Sequence, residues 1–392
     1  MNPSASGWIN KLFQELTDQK SINSLDLNAL YLNLRTCGFT YGSNINIVFN
    51  SISKNDFTND EICKINLILA LHFTHEKSVS ELPFIDNLIS FYSEIDQQKA
   101  FVFKDLLIEK NSPDVLEKII NKRVLIDTNL FTKTFNYFII NALLFIDVLA
   151  YKHFLETGHI TEKYIKQKEA AIETIVLNAL NAKEVKTEYD SNLINLMEQS
   201  LRYEQNTKIS YIKALSLITN PLEAQYILDL ACMSTWSDAT IDTSEHKFLY
   251  QLGADLKLKK NIIEQSIKAI HKFYTVHTDE IALLGSKNIV KTFYDNSSKM
   301  VSKLISRNSK RLQKELTQSK ELMILLTQST LRELTEEEHK KVQGQLLDII
   351  KSIPSLAIFI LPGGAILLPL VIKFIPKLLP SAFDDNRIED NK

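Results

Sequence analysis

Three acidic residues, Asp238, Asp242 and Glu245, stand close together in the middle of the sequence. Carboxylate oxygens are the ligands that Ca²⁺ and Mg²⁺ prefer, so this group is a candidate site for a divalent cation. The same residues have a structural use, because Asp242 can cap a helix and Glu245, three positions later, can complete a capping box. The sequence leaves both interpretations open, and it indicates no other cofactor.

Two histidine clusters have the spacing that places side chains on one face of a helix. Such a face can hold a metal ion. Both clusters also fall where helices are expected to end, and histidine is favoured there by the helix dipole. We therefore keep a structural role beside the metal-binding one. The residues are His72, His75 and Glu76 in the first cluster, and His153, Glu156 and His159 in the second.

Catalytic signatures are missing from the sequence. It contains no H-E-x-x-H zinc motif, no Gly-rich phosphate loop, no dinucleotide fingerprint and no nucleophile elbow. Cys37, Cys63 and Cys232 lie far apart and form no C-x-x-C pair, which argues against a zinc site or a disulfide framework. We predict that the protein is not an enzyme.

A strongly basic stretch spans residues 297–315, in which Glu315 is the one acidic residue. Its basic residues recur at steps of three and four, and apolar residues lie between them, so the stretch predicts a basic amphipathic helix. Such a helix can lie on an anionic lipid surface or an RNA backbone, although a simple solvated face is the alternative. The basic residues are Lys299, Lys303, Arg307, Lys310, Arg311 and Lys314.

An uncharged run of 21 residues follows at 352–372. A helix of that length would measure about 31 Å, close to the roughly 30 Å hydrocarbon core of a bilayer. Pro362, Gly363 and Gly364 stand at its centre, and we predict a break in the helix within Leu361–Ala365 because proline lacks an N–H. The run is thus compatible with one membrane span, a re-entrant hairpin or a buried soluble hairpin.

Composition predicts an all-α, multi-helix bundle protein. The chain contains only 9 Gly and 9 Pro in 392 residues, too few for the many turns of a sheet-rich fold. Its 45 basic and 47 acidic residues give a net charge of -2, which argues against DNA or general nucleic-acid binding. Five of the nine prolines lie between 354 and 380, so the C-terminal hydrophobic segment is expected to be broken by Pro and Gly.

Local patterns place several of the helices. Apolar residues recur at helical spacing from Trp8 to Leu16, which predicts a docked amphipathic helix. Thr58 and Glu61 form a capping-box pattern before an apolar run. The apolar stretch 130–155 predicts a buried helix that ends at Gly158.

These patterns divide the chain into five regions. No signal peptide is evident at the start, so we expect the N-terminal bulk in the cytoplasm. The regions are an N-terminal helical region at 1–158, a helical domain at 160–285, a basic amphipathic connector at 297–333, a hydrophobic segment at 334–383 and an acidic tail at 384–392.

The C-terminal segment resembles the LETM family, the leucine-zipper/EF-hand transmembrane proteins of the mitochondrial inner membrane and their bacterial relatives. The resemblance covers residues 334–383 and includes the ending Leu379-Pro380-Ser381-Ala382-Phe383. The residues that we assign to a membrane segment on this basis are Pro354, Pro362, Gly363, Gly364, Pro369, Lys373, Pro376, Pro380 and Phe383.

The resemblance implies a non-enzymatic protein attached to the inner membrane, with links to cation/proton exchange and to ribosome binding. In the mitochondrial branch a Glu lies within the span, and Ala365 takes its place here, so we expect no proton-coupled exchange by this chain. The family's ribosome-binding domain continues beyond the Phe383 motif, whereas this sequence stops nine residues later. We therefore expect that domain to be largely absent. The layout is similar to that of bacterial members described as biofilm-associated.

Residues 223–270 resemble the TerB-like domain, a small all-helical module. The resemblance rests on Trp236, Asp238, Ile241, Asp242 and Glu245, which match an acidic turn between two helices. The usual Gly after the first Asp is replaced by Ala239, so the turn can differ.

Two functions follow from the whole sequence. The first is a LETM-like, membrane-associated protein that acts in cation homeostasis or ribosome binding, with membrane lipids and the ribosome as partners. The second is a soluble interaction scaffold with a TerB-like domain, acting in envelope stress or biofilm-related organisation. The sequence identifies no protein partner.

Overall fold

A computed structural model shows the chain as an all-α protein, as the composition predicts. It describes residues 1–16, 25–49, 57–95, 112–124, 141–182, 209–235, 241–277, 302–332, 334–353 and 356. Every regular element within these ranges is a helix. The described residues belong to two compact units, and the main part of the second is Asn288–Lys392.

The first unit contains eleven α-helices and a short 3-10 helix in its described ranges. The α-helices are α1 (Trp8–Leu16), α2 (Leu27–Thr36), α3 (Asn59–Glu76), α4 (Phe84–Ile95), α5 (Ser112–Val124), α6 (Phe145–Thr157), α7 (Glu162–Asn181), α8 (Tyr211–Ser216), α9 (Pro221–Thr235), α10 (Thr243–Asp255) and α11 (Lys260–Val276), and the 3-10 helix is Phe39–Tyr41.

One hydrophobic core runs through the described part of the first unit. Buried residues from Trp8 in α1 to Tyr274 in α11 belong to a single cluster. Helix α3 packs on α6 and α5, α6 packs on α7, and α9 packs on α7, α10 and α11. The regions 1–158 and 160–285, which the sequence treats as separate, therefore share their core here.

Several local predictions in this unit are confirmed. Thr58 and Glu61 form the capping box of α3. Helix α6, in the described part of the predicted stretch 130–155, is largely buried and ends at Gly158, whose φ is +73°; residues 130–140 lie outside the described ranges. Trp8 of the predicted amphipathic helix is buried against the core, and the carboxylate of Glu117 in α5 accepts hydrogen bonds from the Gly7 and Ile9 N–H groups, at 3.0 Å each. These bonds cap the first turn of α1.

A tight turn at Gly38 packs against α11, the last helix described in the first unit. Gly38 has φ +82°, a conformation that a residue with a Cβ adopts only with strain. A Cβ there would also lie 2.5 Å from the Phe273 ring of α11 and 1.9 Å from the Ser43 carbonyl oxygen. The adjacent 3-10 helix packs on α9, so this turn depends on glycine for its close approach.

The second unit has its own smaller core. It contains a helical stretch at 302–307, then α12 (Ser309–Thr317), α13 (Lys320–Leu331) and α14 (Glu336–Ser352). The three named helices pack on one another in every pairing. Their buried side chains are Leu304, Ile305, Leu312, Leu316, Leu322, Met323, Leu325, Leu326, Leu334, Val342, Leu346, Ile350, Ile353 and Leu356.

The described helices include none that combines the length and apolar character needed to cross a bilayer. The nine residues assigned to a membrane segment, from Pro354 to Phe383, lie outside the described residues. The predicted break within Leu361–Ala365 lies outside them as well, so it stays a prediction.

Candidate functional site

The predicted basic helix forms one side of the second unit. Asn308 is a turn residue between the helical stretch 302–307 and α12: its N–H bonds to Leu304 O at 3.2 Å, and its carbonyl oxygen accepts from Leu312 N–H at 2.8 Å. Lys310, Arg311 and Lys314 are exposed. Lys303 and Arg307 are half-buried, and Lys299 lies outside the described residues.

The apolar stripe of this helix is covered by protein. Leu304, Ile305, Leu312 and Leu316 are each at most 3% exposed, and they pack in the core that α13 and α14 complete. The helix is therefore amphipathic as the sequence predicts, and its apolar face is already occupied. The exposed side of the helix carries the positive charges of Lys310, Arg311 and Lys314.

A side chain from this helix reaches the end of α14. Arg311 Nη2 donates a hydrogen bond to the backbone oxygen of Ser352, at 3.0 Å. Ser352 is both the last residue of α14 and the first residue of the uncharged run 352–372. The structure thus connects the basic face to the point where the uncharged run begins.

Helix α14 begins with a capping box that charge reinforces. Thr335 accepts from the Glu338 N–H, and Glu338 accepts from the Thr335 N–H at 2.8 Å. The two terminal nitrogens of Arg332, Nη1 and Nη2, donate to Glu338 at 2.8 and 2.7 Å. The hydrogen bonds from Arg332 and from the Thr335 N–H lower the pKa of Glu338 to about 2.

Lys341 and the adjacent pair His339 and Lys340, all exposed on α14, have different neighbours. Lys341 is paired with Glu321 of α13, and the pKa of that carboxyl is lowered by hydrogen bonds from Lys341 and Gln345. His339 and Lys340, by contrast, are adjacent and exposed. They lie beside Glu336 and Glu337, the exposed acidic residues of the first turn of α14.

The acidic turn in the first unit serves as a helix cap. Asp242 Oδ1 accepts from the N–H groups of Ser244 (2.8 Å) and Glu245 (2.7 Å), and Glu245 accepts from the Asp242 N–H at 2.8 Å. Asp238, the third residue of the predicted cation site, lies outside the described residues. The capping alternative is therefore observed at α10, and the cation site stays a prediction.

The histidine clusters are held by other contacts. His75 Nε2 lies 3.0 Å from the Leu82 carbonyl oxygen, and His72 lies 3.7 Å from Glu76. His153 stacks on Tyr164, while His159 Nδ1 lies 2.9 Å from Glu94. In the ranges that the structure describes, no three His, Cys, Asp or Glu side chains are grouped as metal ligands.

Sequence reasoning missed the buried ionic contacts of the first unit. Asp229 of α9 is fully buried and accepts from Tyr31 and from Arg35 Nη1, the latter at 3.2 Å. Burial, and then the charge of Asp229, raise the pKa of Tyr31 well above its ordinary value, so the phenol remains a donor.

Two further ionic contacts of this kind link other helices. Asp147 of α6 accepts from Arg123 Nε at 2.8 Å, and Lys168 Nζ lies 2.6 Å from Glu223. Asp147 is a charged residue within the apolar stretch 130–155. A charged residue within an apolar helix needs a partner of opposite charge when it is buried, so such a residue is the sequence signal for a buried ion pair.

Comparison with known proteins identifies the C-terminal region. Residues 334–392 match the family model described as "LETM1-like, RBD". A mitochondrial LETM1 domain-containing protein of Saccharomyces cerevisiae, YLH47, is 34% identical over 59 residues, which are 15% of this chain and 13% of the yeast protein. No solved structure gives a significant match.

The expectation that the family's ribosome-binding domain is largely absent beyond Phe383 stays a prediction. The matched region starts at residue 334. It thus includes α14 and the uncharged run. The resemblance of residues 223–270 to a TerB-like domain stays a prediction. Residues 334–392 of the chain are thus similar to the LETM1-like RBD region.

Proposed function

We propose that this chain is a membrane-attached LETM1-like protein that binds ribosomes through residues 334–392. The observation that carries the proposal is the match of those residues to the LETM1-like RBD model. The chain covers only a small part of its yeast relative, so the proposal concerns this segment and takes no other activity from that protein.

The described part of the segment has a mixed surface, in which exposed basic residues lie beside the exposed acidic residues Glu336 and Glu337. Helix α14 is held by its capping box and by the core of the second unit, so its surface is rigid. The adjacent His339 and Lys340 are exposed on that surface. Basic side chains on a rigid helix are the usual means of contacting phosphates of folded RNA.

The membrane part of the proposal rests on the uncharged run 352–372. Its length fits the hydrocarbon core, and its prolines and glycines are tolerated in membrane segments where neighbouring groups satisfy the backbone. Cation homeostasis is then an indirect effect of this protein, because Ala365 stands where a carboxylate would relay a proton.

Ribosome binding is tested by co-sedimentation of the full chain, in detergent, with ribosomes from the source organism. The double variant His339→Glu, Lys340→Glu is expected to bind at least fivefold more weakly at low salt, because two basic groups are replaced by acids. The matched control is His271→Glu, Lys272→Glu in α11, an adjacent and exposed pair of the same residue types.

The control variant is expected to bind as the wild-type chain does. Equal weakening by both double variants would indicate a general charge effect and contradict a specific α14 surface. If the wild-type chain does not sediment with the ribosomes, the proposal of ribosome binding is contradicted.

Membrane attachment is tested separately by alkaline carbonate extraction of membranes from cells that express the chain. An attached protein stays in the pellet, whereas the soluble scaffold predicted as the alternative is released. Release of the whole chain would favour the scaffold and contradict the proposed attachment.

A further inference from the structure

We propose that the basic face of the stretch 302–307 and α12 rests on the anionic headgroups of a lipid bilayer, beside the start of the run 352–372. The inference depends on the proposed membrane attachment and adds to it a specific surface and a class of lipid.

The basic side chains fall into two pairs at a spacing of four. Lys303 and Arg307 lie on one side of the stretch 302–307, and Lys310 and Lys314 lie on one side of α12. The buried Leu312 and Leu316 lie on the opposite side of α12, in the core of the unit. The basic face consists of these two pairs, with Arg311 at its edge.

The charges at the exposed end of this face are not neutralised within the described structure. Among the described residues of the second unit, Arg332 pairs with Glu338 and Lys341 pairs with Glu321. Within the described ranges, no carboxylate pairs with Lys310 or Lys314. Both lysines are exposed, so they can approach an anionic surface together.

The position of the face favours a lipid surface over another polyanion. Arg311 holds the carbonyl of Ser352, so the basic helix contacts the residue from which the uncharged run starts. A segment that enters the bilayer from that point brings the neighbouring helix to the level of the headgroups. An RNA partner would explain the positive charge, but it would not explain why Arg311 contacts Ser352, the first residue of the uncharged run.

The mode of contact is electrostatic. An interfacial amphipathic helix usually inserts its apolar face into the lipid. Here that face is buried against α13 and α14, so insertion would require opening the core of the unit. The helix therefore contributes charge, whose attraction falls off within a Debye length of about 8 Å at physiological salt.

The test is vesicle flotation of the full chain. The vesicles are phosphatidylcholine alone, or phosphatidylcholine with phosphatidylglycerol, at low and high salt. The test variant is Lys310→Glu, Lys314→Glu, and the control is Lys268→Glu, Lys272→Glu in α11, which is also an exposed pair at a spacing of four. The variant Lys310→Arg, Lys314→Arg keeps the charge, and circular dichroism checks the helix content of each.

We expect the test variant to partition at least about 25-fold more weakly onto anionic vesicles, because each basic residue contributes about fivefold. The control and the arginine variant should bind as wild type does. High salt should remove the difference, and binding to neutral vesicles should not change.

Three results would overturn the inference. The first is unchanged anionic binding by the test variant, and the second is an equal loss in the control. The third is a variant that keeps anionic binding but no longer co-sediments with ribosomes, which would assign the face to RNA. A wild-type chain that does not float with neutral vesicles would instead contradict attachment through residues 352–372.

Discussion

At the scale of single residues, the first unit is tied together by charges buried between helices. Asp229 in α9 accepts from Tyr31 and Arg35 in α2, which lie almost two hundred positions earlier in the chain. The Asp229 side chain is fully buried and that of Arg35 is 11% exposed. Each group satisfies the other, so neither is left as an isolated charge in the core.

We predict that Asp229→Ala lowers the free energy of unfolding of the first unit by about 3–5 kcal/mol, because it leaves the Arg35 charge without its partner. Urea unfolding of the full chain, followed by circular dichroism, measures this loss. The triple variant Tyr31→Phe, Arg35→Met, Asp229→Leu should be more stable than the single variant, since it removes both charges and the hydroxyl that Asp229 accepts from.

A loss below about 1 kcal/mol in the single variant would contradict a tightly coupled pair, because it would resemble an exposed ion pair. A triple variant as unstable as the single one would show that the cost comes from shape and not from the unpaired charge.

Cys232 lies on the same helix as Asp229. It is unsuitable as a site for thiol labelling, because burial raises the pKa of its thiol well above the ordinary value.

The limits of sequence reasoning are clearest at this scale. The capping box at Thr58 and the helix end at Gly158 were predicted because their partners lie within four positions along the chain. The partner of Asp229 could not be found in this way, because its position depends on how α2 and α9 pack. Local spacing contains no information about that packing.

At the scale of elements, α14 begins with a cap whose strength depends on pH. Glu338 has a folded pKa of about 2, below its ordinary value of 4.5, because Arg332 and the Thr335 N–H donate to the carboxylate. As the pH falls, the unfolded chain takes up the proton first. The contribution of the Glu338 carboxylate to the stability of the folded state is therefore complete above about pH 4.5, and it is lost progressively as the pH falls toward 2.

We predict that acidification from pH 5 to pH 2.5 accelerates amide hydrogen exchange at the start of α14, after correction for the intrinsic rate. The variant Glu338→Gln should show a smaller change, because its side chain does not titrate. The control Thr335→Ser keeps the hydroxyl that caps the helix and should behave as wild type does. Equal acceleration in wild type and Glu338→Gln would contradict a role for this carboxyl.

The basic helix shows what periodicity can and cannot predict for an element. The spacing of Leu304, Ile305 and Leu312 predicted an amphipathic helix, and the structure confirms its buried stripe. The stripe itself did not reveal whether protein or lipid covers it, because both favour apolar side chains. The contact between Arg311 and Ser352 was equally hidden, since it joins residues 41 positions apart.

At the scale of the whole molecule, the described residues contain two separate hydrophobic clusters. One extends from α1 to α11, and the other joins the helices that follow residue 301. The predicted regions 1–158 and 160–285 meet where Gly158 ends a helix, and the helices on either side of it, α6 and α7, pack together. A glycine after a helix marks a turn, and a turn within a domain looks the same in sequence as one between domains.

Two clusters of this kind predict two units that unfold independently. Leu346 of α14 is fully buried in the second cluster, so Leu346→Ala should destabilise that unit by about 2–5 kcal/mol through lost contacts and a cavity. Amide hydrogen exchange of the full chain, read by mass spectrometry, should then accelerate in α12–α14 and stay unchanged in α9–α11.

Asp229→Ala should give the reciprocal pattern, with faster exchange in α9–α11 and no change in α12–α14. Each variant thereby serves as the control for the other. Acceleration of both sets of helices by either variant would mean that the chain unfolds as one cooperative unit. In that case substitutions in α14 would also weaken the first unit, and a loss of ribosome binding could not be assigned to the α14 surface alone.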